Sequence, residues 1–294
     1  VQSSPHDRGQ TNFPANLGPM AQVAANTLHV LYLQRDGTVR AAGDSSVVSA
    51  LPGGLSGVVA VACGFDHALA LKNDGTVVAW GNNDYGQCNV PAGYQTSDVV
   101  AIVAGGYHNF AMGANGRVMG WGRNSNEQAT LPQDLLNTRL AAIACGGYHT
   151  VVATVDGRRF RWGLTAPGGG AGANPLDGYV PDGDTVDVSA IDNFCLFLRT
   201  NTQVAASGNY ASWQPAVTVP AGLDRVVKLS AGFDHFLALR GSPRPQITAP
   251  VVVSGALGAS FGYQISASGS ANNYWAMGLP PGLSVNASSG LISG

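Results

Sequence analysis

The chain has few charged residues, at 11% of its 294 positions. Fifteen Lys and Arg residues stand against 17 Asp and Glu residues, which gives a net charge of −2. A nucleic-acid surface needs clustered Lys and Arg, whereas here the basic residues are scattered and Arg158-Arg159 is their single adjacent pair. The composition therefore argues against a nucleic-acid partner, and it favours an extracellular, secreted or cell-surface setting.

Long apolar runs and helical periodicity are also missing. No apolar stretch approaches the roughly 20 residues of a membrane-spanning helix, and no segment sustains a 3.6-residue apolar period. Only four cysteines occur, and Cys63 and Cys145 occupy the same repeat position, which is alanine in other copies. Small packed sites of this kind predict buried free thiols rather than disulfides. No metal-ligand spacing, phosphate loop or nucleophile elbow occurs, so we expect no metal, cofactor or catalytic residue.

What the chain does have is a phrase that returns about every 41 residues. Its first part, the head, ends near a histidine, and its second part, the tail, runs from an Asp-Gly or Asn-Gly pair through Trp-Gly to Gly-Gln and proline. A repeat of this period predicts a solenoid or a propeller. The head positions are His29, His67, His108, His149, Phe194 and His235; the clearest tails contain Trp80-Gly81, Trp121-Gly122 and Trp162-Gly163.

The tail missing after the last head is present at the N-terminus. Residues 1–14 align without gaps on residues 78–91, with Gly9-Gln10 over Gly86-Gln87. The six heads and six tails then form six units, and the N-terminal strand closes the ring, which removes free sheet edges. We expect six blades, with seven left open if N-terminal sequence is missing.

Each unit alternates small or β-branched residues with larger ones, as strands do. Asp36-Gly37, Asp74-Gly75, Asn115-Gly116 and Asp156-Gly157 separate these strands. Such pairs adopt positive φ readily and predict type I′ hairpin turns.

The composition changes after the sixth head. We assign residues 1–241 to the repeat domain, residues 242–250 to a Pro-rich linker, and residues 251–294 to a second unit. The phrase Gly278-Leu-Pro-Pro-Gly-Leu-Ser-Val285 resembles the immunoglobulin-like domain of bacterial surface and secreted proteins. The resemblance implies part of a β-sandwich, a native chain that continues beyond Gly294, and a module capable of self-association.

The heads and tails of residues 1–240 resemble the regulator of chromosome condensation repeat, whose family forms β-propellers. Within that family they are most similar to the bacterial propeller-type β-lactamase inhibitory proteins. There the head-loop residues just before the histidine position bind the partner, with aromatic side chains prominent among them. The resemblance places the partner-binding residues of this chain at Leu28, Phe65, Asp66, Tyr107, Tyr148, Asn193, Phe233 and Asp234.

The recurring histidines and tryptophans predict structure rather than chemistry, because equivalent positions are spread around a ring and phenylalanine replaces one histidine. The expected fold is therefore an all-β propeller joined to a partial immunoglobulin-like sandwich. The expected function is non-catalytic recognition of a protein through one face of the propeller. Two alternatives stay open: inhibition of a secreted enzyme such as a β-lactamase, and a structural role in surface arrays or adhesion.

Overall fold

The repeat region is built from short antiparallel strands, as the alternation of its residues predicts. Helical structure in the described part consists of α1 (Ser46–Ser49), a 3-10 turn, Gln133–Leu135, and the 3-10 residue Ala92. None of the described helices is long and apolar enough to cross a membrane. The computed structural model describes residues 9, 12, 14–26, 28–43, 46–92, 99–164, 174–175, 185–191, 194–199, 201–207, 219–220, 222–231, 236–240, 260–265, 282–286 and 288–294.

The first four sheets each contain three consecutive antiparallel strands, and the fourth has one further short strand. Their strands are β1 (Met20–Ala25), β2 (His29–Gln34) and β3 (Val39–Gly43); β4 (Val58–Cys63), β5 (His67–Lys72) and β6 (Val77–Gly81); β7 (Val99–Ala104), β8 (His108–Gly113) and β9 (Val118–Gly122); β10 (Leu140–Cys145), β11 (His149–Thr154), β12 (Arg159–Gly163) and β13 (Asn174–Pro175).

Two more sheets of the same kind follow, and a small separate sheet comes last. The fifth sheet contains β14 (Thr185–Ile191), β15 (Phe194–Arg199) and β16 (Val204–Ser207), and the sixth contains β17 (Val226–Ala231) and β18 (Phe236–Arg240). The last sheet has the order β19-β21-β20, with β19 (Gly262–Gln264), β20 (Ser284–Val285) and β21 (Leu291–Ser293).

The register repeats along with the sequence. In each of the six repeat sheets the first strand carries a β-bulge at its second residue, so that the next residue resumes pairing. The bulges lie between Met20 and Gln22, Val58 and Ala60, Val99 and Ala101, Leu140 and Ala142, Thr185 and Asp187, and Val226 and Lys228. A bulge increases local twist, so each unit acquires the same twist at the same place.

The hairpin between the second and third strands differs from the predicted type I′ turn. In the second sheet the N–H of Gly75 donates to the carbonyl of Lys72 at 3.0 Å, and the N–H of Lys72 donates to the carbonyl of Thr76 at 2.9 Å. Gly75 has φ +80°, while Asp74 is not among the residues with positive φ. The loop is thus a three-residue turn with a glycine bulge. The type I′ prediction was wrong, because the pair fixes where the chain turns but not the loop length.

Successive sheets pack face to face and share their cores. Leu31 and Leu33 of the first sheet join Val58 and Trp80 of the second in one buried cluster. The other clusters combine the second sheet with the third, the third with the fourth, the fourth with the fifth and the fifth with the sixth. From the first sheet to the sixth, each of the five interfaces between successive units therefore buries apolar side chains of both, as in the blades of a propeller.

The N-terminal tail can be followed only in part. The N–H of Asn12 donates to the carbonyl of Gly9 at 3.0 Å, as the N–H of Asn89 does to that of Gly86. A Cβ on Gly9 would lie 3.9 Å from the Cα of Gly43 in the first sheet. The bond between Asn12 and Gly9 thus repeats the bond between Asn89 and Gly86 in the tail of the second unit. Of residues 1–14, which we predict to form the outer strand of the last blade, only 9, 12 and 14 are described, so this pairing and the predicted blade number are untested.

Candidate protein-interaction site

The four head histidines in the described part of the chain are buried, and for three of them a glycine three residues earlier makes room for the ring. His29, His67, His108 and His149 are all fully buried. A Cβ on Gly64 would lie 2.0 Å from Cε1 of His67, one on Gly105 would lie 2.6 Å from that of His108, and one on Gly146 would lie 2.2 Å from that of His149. The Gly-x-x-His spacing therefore packs an imidazole ring against the backbone of its own loop.

Two of these histidines connect one sheet to the next. Nε2 of His67 donates to Oδ1 of Asn109 at 2.6 Å, and Nδ2 of Asn109 donates to the carbonyl of Gln87 at 2.9 Å. Nε2 of His108 lies 2.9 Å from Oγ1 of Thr150, whose hydroxyl donates to the carbonyl of Gln128 at 2.8 Å. The histidine of one unit thus reaches the tail carbonyl of its own unit through a polar side chain of the next unit.

Burial keeps these rings uncharged. It lowers the pKa of His29 to about 4, with His67 nearby adding to the effect. Burial likewise lowers the pKa of His108 to about 3, and the neighbouring His149 and His67 add to it. A neutral ring that is hydrogen-bonded within the core suits a structural role better than proton transfer at neutral pH.

The loops between first and second strands lie side by side along successive units. The N–H of Phe65 donates to the carbonyl of Gly106 at 3.0 Å, and the N–H of Gly106 donates to the carbonyl of Gly146 at 3.0 Å. These backbone bonds hold three head loops in a row. The residue before each histidine is only partly buried in these loops, so the row presents Asp66, Tyr107 and Tyr148.

Aromatic rings from these loops form a continuous cluster. The Tyr107 ring lies 5.4 Å from that of Phe65 in an edge-on arrangement and 6.0 Å from that of Tyr148. Tyr85, from the tail of the second unit, adds a ring 5.2 Å from Tyr107. Tyr85 is 47% exposed. We call Phe65, Tyr85, Tyr107 and Tyr148, together with Arg123, the tyrosine surface.

Arg123 lies over three of these rings. Its Cζ is 4.9 Å from the ring centre of Tyr85, 5.2 Å from that of Tyr148 and 5.9 Å from that of Tyr107. The backbone N–H of Arg123 donates to the carbonyl of Tyr107 at 2.8 Å. Burial raises the pKa of Tyr107, and neighbouring Tyr148, Asp66 and Tyr85 contribute to this, while Arg123 opposes them. The tyrosine surface therefore combines apolar area, phenolic hydroxyls and one positive charge.

The structure brings together three of the predicted partner-binding residues, Phe65, Tyr107 and Tyr148. Phe65 also packs on the next unit, since a Cβ on Gly106 would lie 2.8 Å from its Cε2. Asp66 affects the titration of Tyr107, and its carbonyl accepts from the N–H of Asn82 at 2.8 Å. Leu28 lies in the loop of the first sheet. The remaining predicted residues, Asn193, Phe233 and Asp234, lie outside the described part of the chain.

Sequence reasoning missed Tyr85 and Arg123. Both lie in tails, whereas the predicted partner-binding residues all lie in head loops. The tails come next to the head loops only because the sheets pack. A signal for Arg123 does exist in the sequence. The residue after Trp-Gly is Asn82 in the second unit, Arg123 in the third and Leu164 in the fourth, so the charge is specific to one unit.

The described residues give little support for a metal site or for a nucleophilic cysteine. No group of three or more His, Cys, Asp or Glu side chains there is placed to hold a metal ion. All four cysteines, each of which is described, carry thiols rather than disulfides. Burial raises the pKa of Cys63 and Cys145 to about 12. Thiols with so high a pKa are poor nucleophiles at neutral pH.

Comparison with known proteins agrees with this geometry. Residues 58–87 and 99–128, which include most of the second and third sheets, match the regulator of chromosome condensation (RCC1) repeat. The RCC1-type match begins at the bulged first strand of each sheet and ends on the buried glutamine of the tail, Gln87 or Gln128.

Solved structures show the same fold over most of the chain. Human WBSCR16 superposes with a TM-score of 0.57 at 20% identity, covering 76% of this chain and 72% of that one. Prp20p of Saccharomyces cerevisiae gives 0.57 at 18% identity, with coverage of 74% and 69%. The ectodomain of the Physcomitrella patens receptor kinase CR4 gives 0.57 at 20% identity, with coverage of 83% and 68%.

At these identities the likeness concerns the fold alone, which is that of an RCC1-like propeller. No curated protein matches this chain in sequence.

Proposed function

We propose that this protein is a non-catalytic scaffold that binds a protein partner through the tyrosine surface. The observation that carries the proposal is the contact of four aromatic rings and Arg123, contributed by loops of three successive sheets. Tyrosine and arginine are the residues that most often anchor protein interfaces. The head loops that carry these rings are held by backbone hydrogen bonds, so they lose little freedom on binding. This lowers the entropic cost of association.

The fold supports this proposal. Prp20, the yeast RCC1, has been crystallised with Kap60 bound, and its binding to Gsp1p and histones is described with its structure. A propeller of this kind can therefore hold protein partners. We further propose that the present protein works outside the cell, as a secreted or cell-surface bacterial protein, on the basis of its low charge content. We propose the small sheet β19-β21-β20 as part of an immunoglobulin-like module.

A pull-down from the envelope of the source organism tests the function. The baits are the wild-type chain, the double variant Tyr107→Ala/Tyr148→Ala, and Leu136→Ala. Leu136 is 52% exposed and lies just after the 3-10 turn, so its variant controls for loss of apolar surface elsewhere. The proposal expects at least one protein that wild type and Leu136→Ala recover and the double variant does not. Equal recovery of every protein by all three baits would refute it.

Inhibition of a secreted enzyme is the second candidate. Tyr107 and Tyr148 occupy the positions that the inhibitor resemblance assigns to the partner face, and their rings are 6.0 Å apart. Titration of a β-lactamase with the wild-type chain tests this candidate. Nanomolar loss of hydrolysis supports inhibition, and full activity at micromolar protein contradicts it for that enzyme class.

A further inference from the structure

Arginine at position 123 deprives the tail of the third unit of one hydrogen bond. In the second unit Asn82 occupies this position, and its Oδ1 accepts from Nε2 of Gln87 at 2.7 Å and from the N–H of Asp84 at 3.1 Å. In the third unit the corresponding glutamine is Gln128. Its Nε2 is buried and has no hydrogen-bond partner among the described residues. Arginine lacks an acceptor, so Arg123 cannot make the bond to this glutamine that Asn82 makes in the second unit.

An unsatisfied buried amide destabilises a protein, and departures from a local rule concentrate at functional sites. Other tail bonds of the third unit are retained. Oδ1 of Asn124 accepts from the N–H of Ala129 at 2.9 Å, as Oδ1 of Asn83 does from Cys88 at 2.8 Å. These two bonds are kept where asparagine is replaced, and the arginine side chain extends over the tyrosine rings instead.

The guanidinium of Arg123 has no anionic partner among the described residues. The ion pairs of that part of the chain involve Lys72, Arg158, Arg225, Lys228 and Arg240. To the described residues the Arg123 side chain makes one hydrogen bond, from Nε to Oγ of Ser125 at 3.2 Å. The Nη donors are thus left for a ligand. Arginine presents these donors as a planar fork that matches a carboxylate.

The surrounding rings favour an anion at this point. They cover faces of the guanidinium, which reduces its contact with water and strengthens its interaction with an anion. Tyrosine hydroxyls supply further donors in the same cluster. The site is held in place by the bond from the N–H of Arg123 to the carbonyl of Tyr107 and by that from the N–H of Tyr85 to Oε1 of Gln87 at 2.8 Å.

We propose that Arg123, amid Tyr85, Tyr107 and Tyr148, is a subsite for a carboxylate side chain, Asp or Glu, of the protein partner. This inference rests on the proposed function and adds the chemistry of the partner. Arg123 is then an affinity and specificity determinant, and the lost bond of Gln128 is the structural cost of placing it there.

The test is selection of a displayed library of random linear peptides on the full chain. Selected peptides are expected to carry Asp or Glu at one recurring position beside apolar residues. Their affinity is then measured for wild type, Arg123→Gln, Arg123→Lys and Arg40→Gln. Arg40 is exposed on β3 of the first sheet, so its variant controls for the loss of one positive charge.

The expected loss for Arg123→Gln is about 10- to 100-fold in Kd, as for a charge-assisted hydrogen bond. Arg123→Lys should lose less, and Arg40→Gln should bind like wild type. Replacing the recurring acid of the peptide by its amide should weaken binding to wild type by a similar factor. The same replacement should change the affinity for Arg123→Gln little. Arg123→Asn should weaken binding and yet raise the melting temperature, because Asn can accept from Gln128.

Two failures are distinguishable. If peptides lose affinity for Tyr107→Ala/Tyr148→Ala but bind Arg123→Gln as tightly as wild type, the tyrosine surface binds protein and the carboxylate subsite is refuted. If they bind the double tyrosine variant as tightly as wild type, the proposed function fails at this surface, and the subsite fails with it.

Discussion

Asn109→Ala tests the polar connection between sheets. Asn109 is fully buried, accepts from His67 and donates to the carbonyl of Gln87. The variant removes two hydrogen bonds worth about 1 kcal/mol each and leaves a buried N–H on His67 without a partner, at about 1–3 kcal/mol. The Gln87 carbonyl is not orphaned, since Nε1 of Trp121 also donates to it at 3.0 Å. The free energy of unfolding should therefore fall by about 3–5 kcal/mol.

The assay is urea unfolding followed by tryptophan fluorescence, with thermal melting as a second measurement. A loss of about 3 kcal/mol corresponds to a fall in Tm of roughly 6–12 °C for a chain of this size. Asn109→Thr is the matched control, because Thr150 fills the equivalent position one unit later and bonds His108 through its hydroxyl. The threonine variant should recover part of the loss. A fall below about 0.5 kcal/mol for Asn109→Ala would refute the reasoning.

Two further predictions concern the buried histidines and the Trp-Gly turn. The folded-state pKa values of His29 (about 4) and His108 (about 3) lie below the unfolded value of 6.5, so their contribution is complete above pH 6.5 and is lost as the pH falls toward these values. The urea midpoint should fall as the pH is lowered through that window, and it should fall less in His29→Phe than in wild type. Equal falls in the two proteins would contradict a lowered pKa for buried His29. Gly122→Ala should destabilise far more than Gly116→Ala in urea unfolding, because both glycines have positive φ but only at Gly122 would the Cβ meet a carbonyl, that of Tyr107, at 2.6 Å. Similar losses for the two would show that backbone strain, rather than the close contact, sets the cost.

Much of the repeat architecture could be predicted from the sequence, because each unit carries its own strand and turn signals. The alternation around Leu69 and Val77 predicted strands, and the recurrence of histidine at equivalent positions predicted a structural role for rings such as His67. Loop geometry could not be read in the same way. Asp74-Gly75 marks the turn, yet the bond between Lys72 and Thr76 that sets its three-residue loop depends on the register of both strands.

The composition of the tyrosine surface could be predicted only in part. Tyr107 and Tyr148 share one position of the head, so the period brings them to neighbouring loops. Tyr85 and Arg123 belong to tails, and their approach to Tyr107 follows from how each tail folds against the next sheet. That packing depends on buried Gln87 and on the carbonyl it presents to Trp121, which a one-dimensional pattern does not show.

The most direct test of the account places a photocrosslinking residue, p-benzoylphenylalanine, at Tyr85, the most exposed ring of the tyrosine surface, and in a separate chain at Leu136. Both chains are irradiated in an envelope extract of the source organism. The account predicts a protein adduct from position 85 that excess unlabelled wild-type chain suppresses and Tyr107→Ala/Tyr148→Ala chain does not. A suppressible adduct from position 136 with none from position 85 would contradict it.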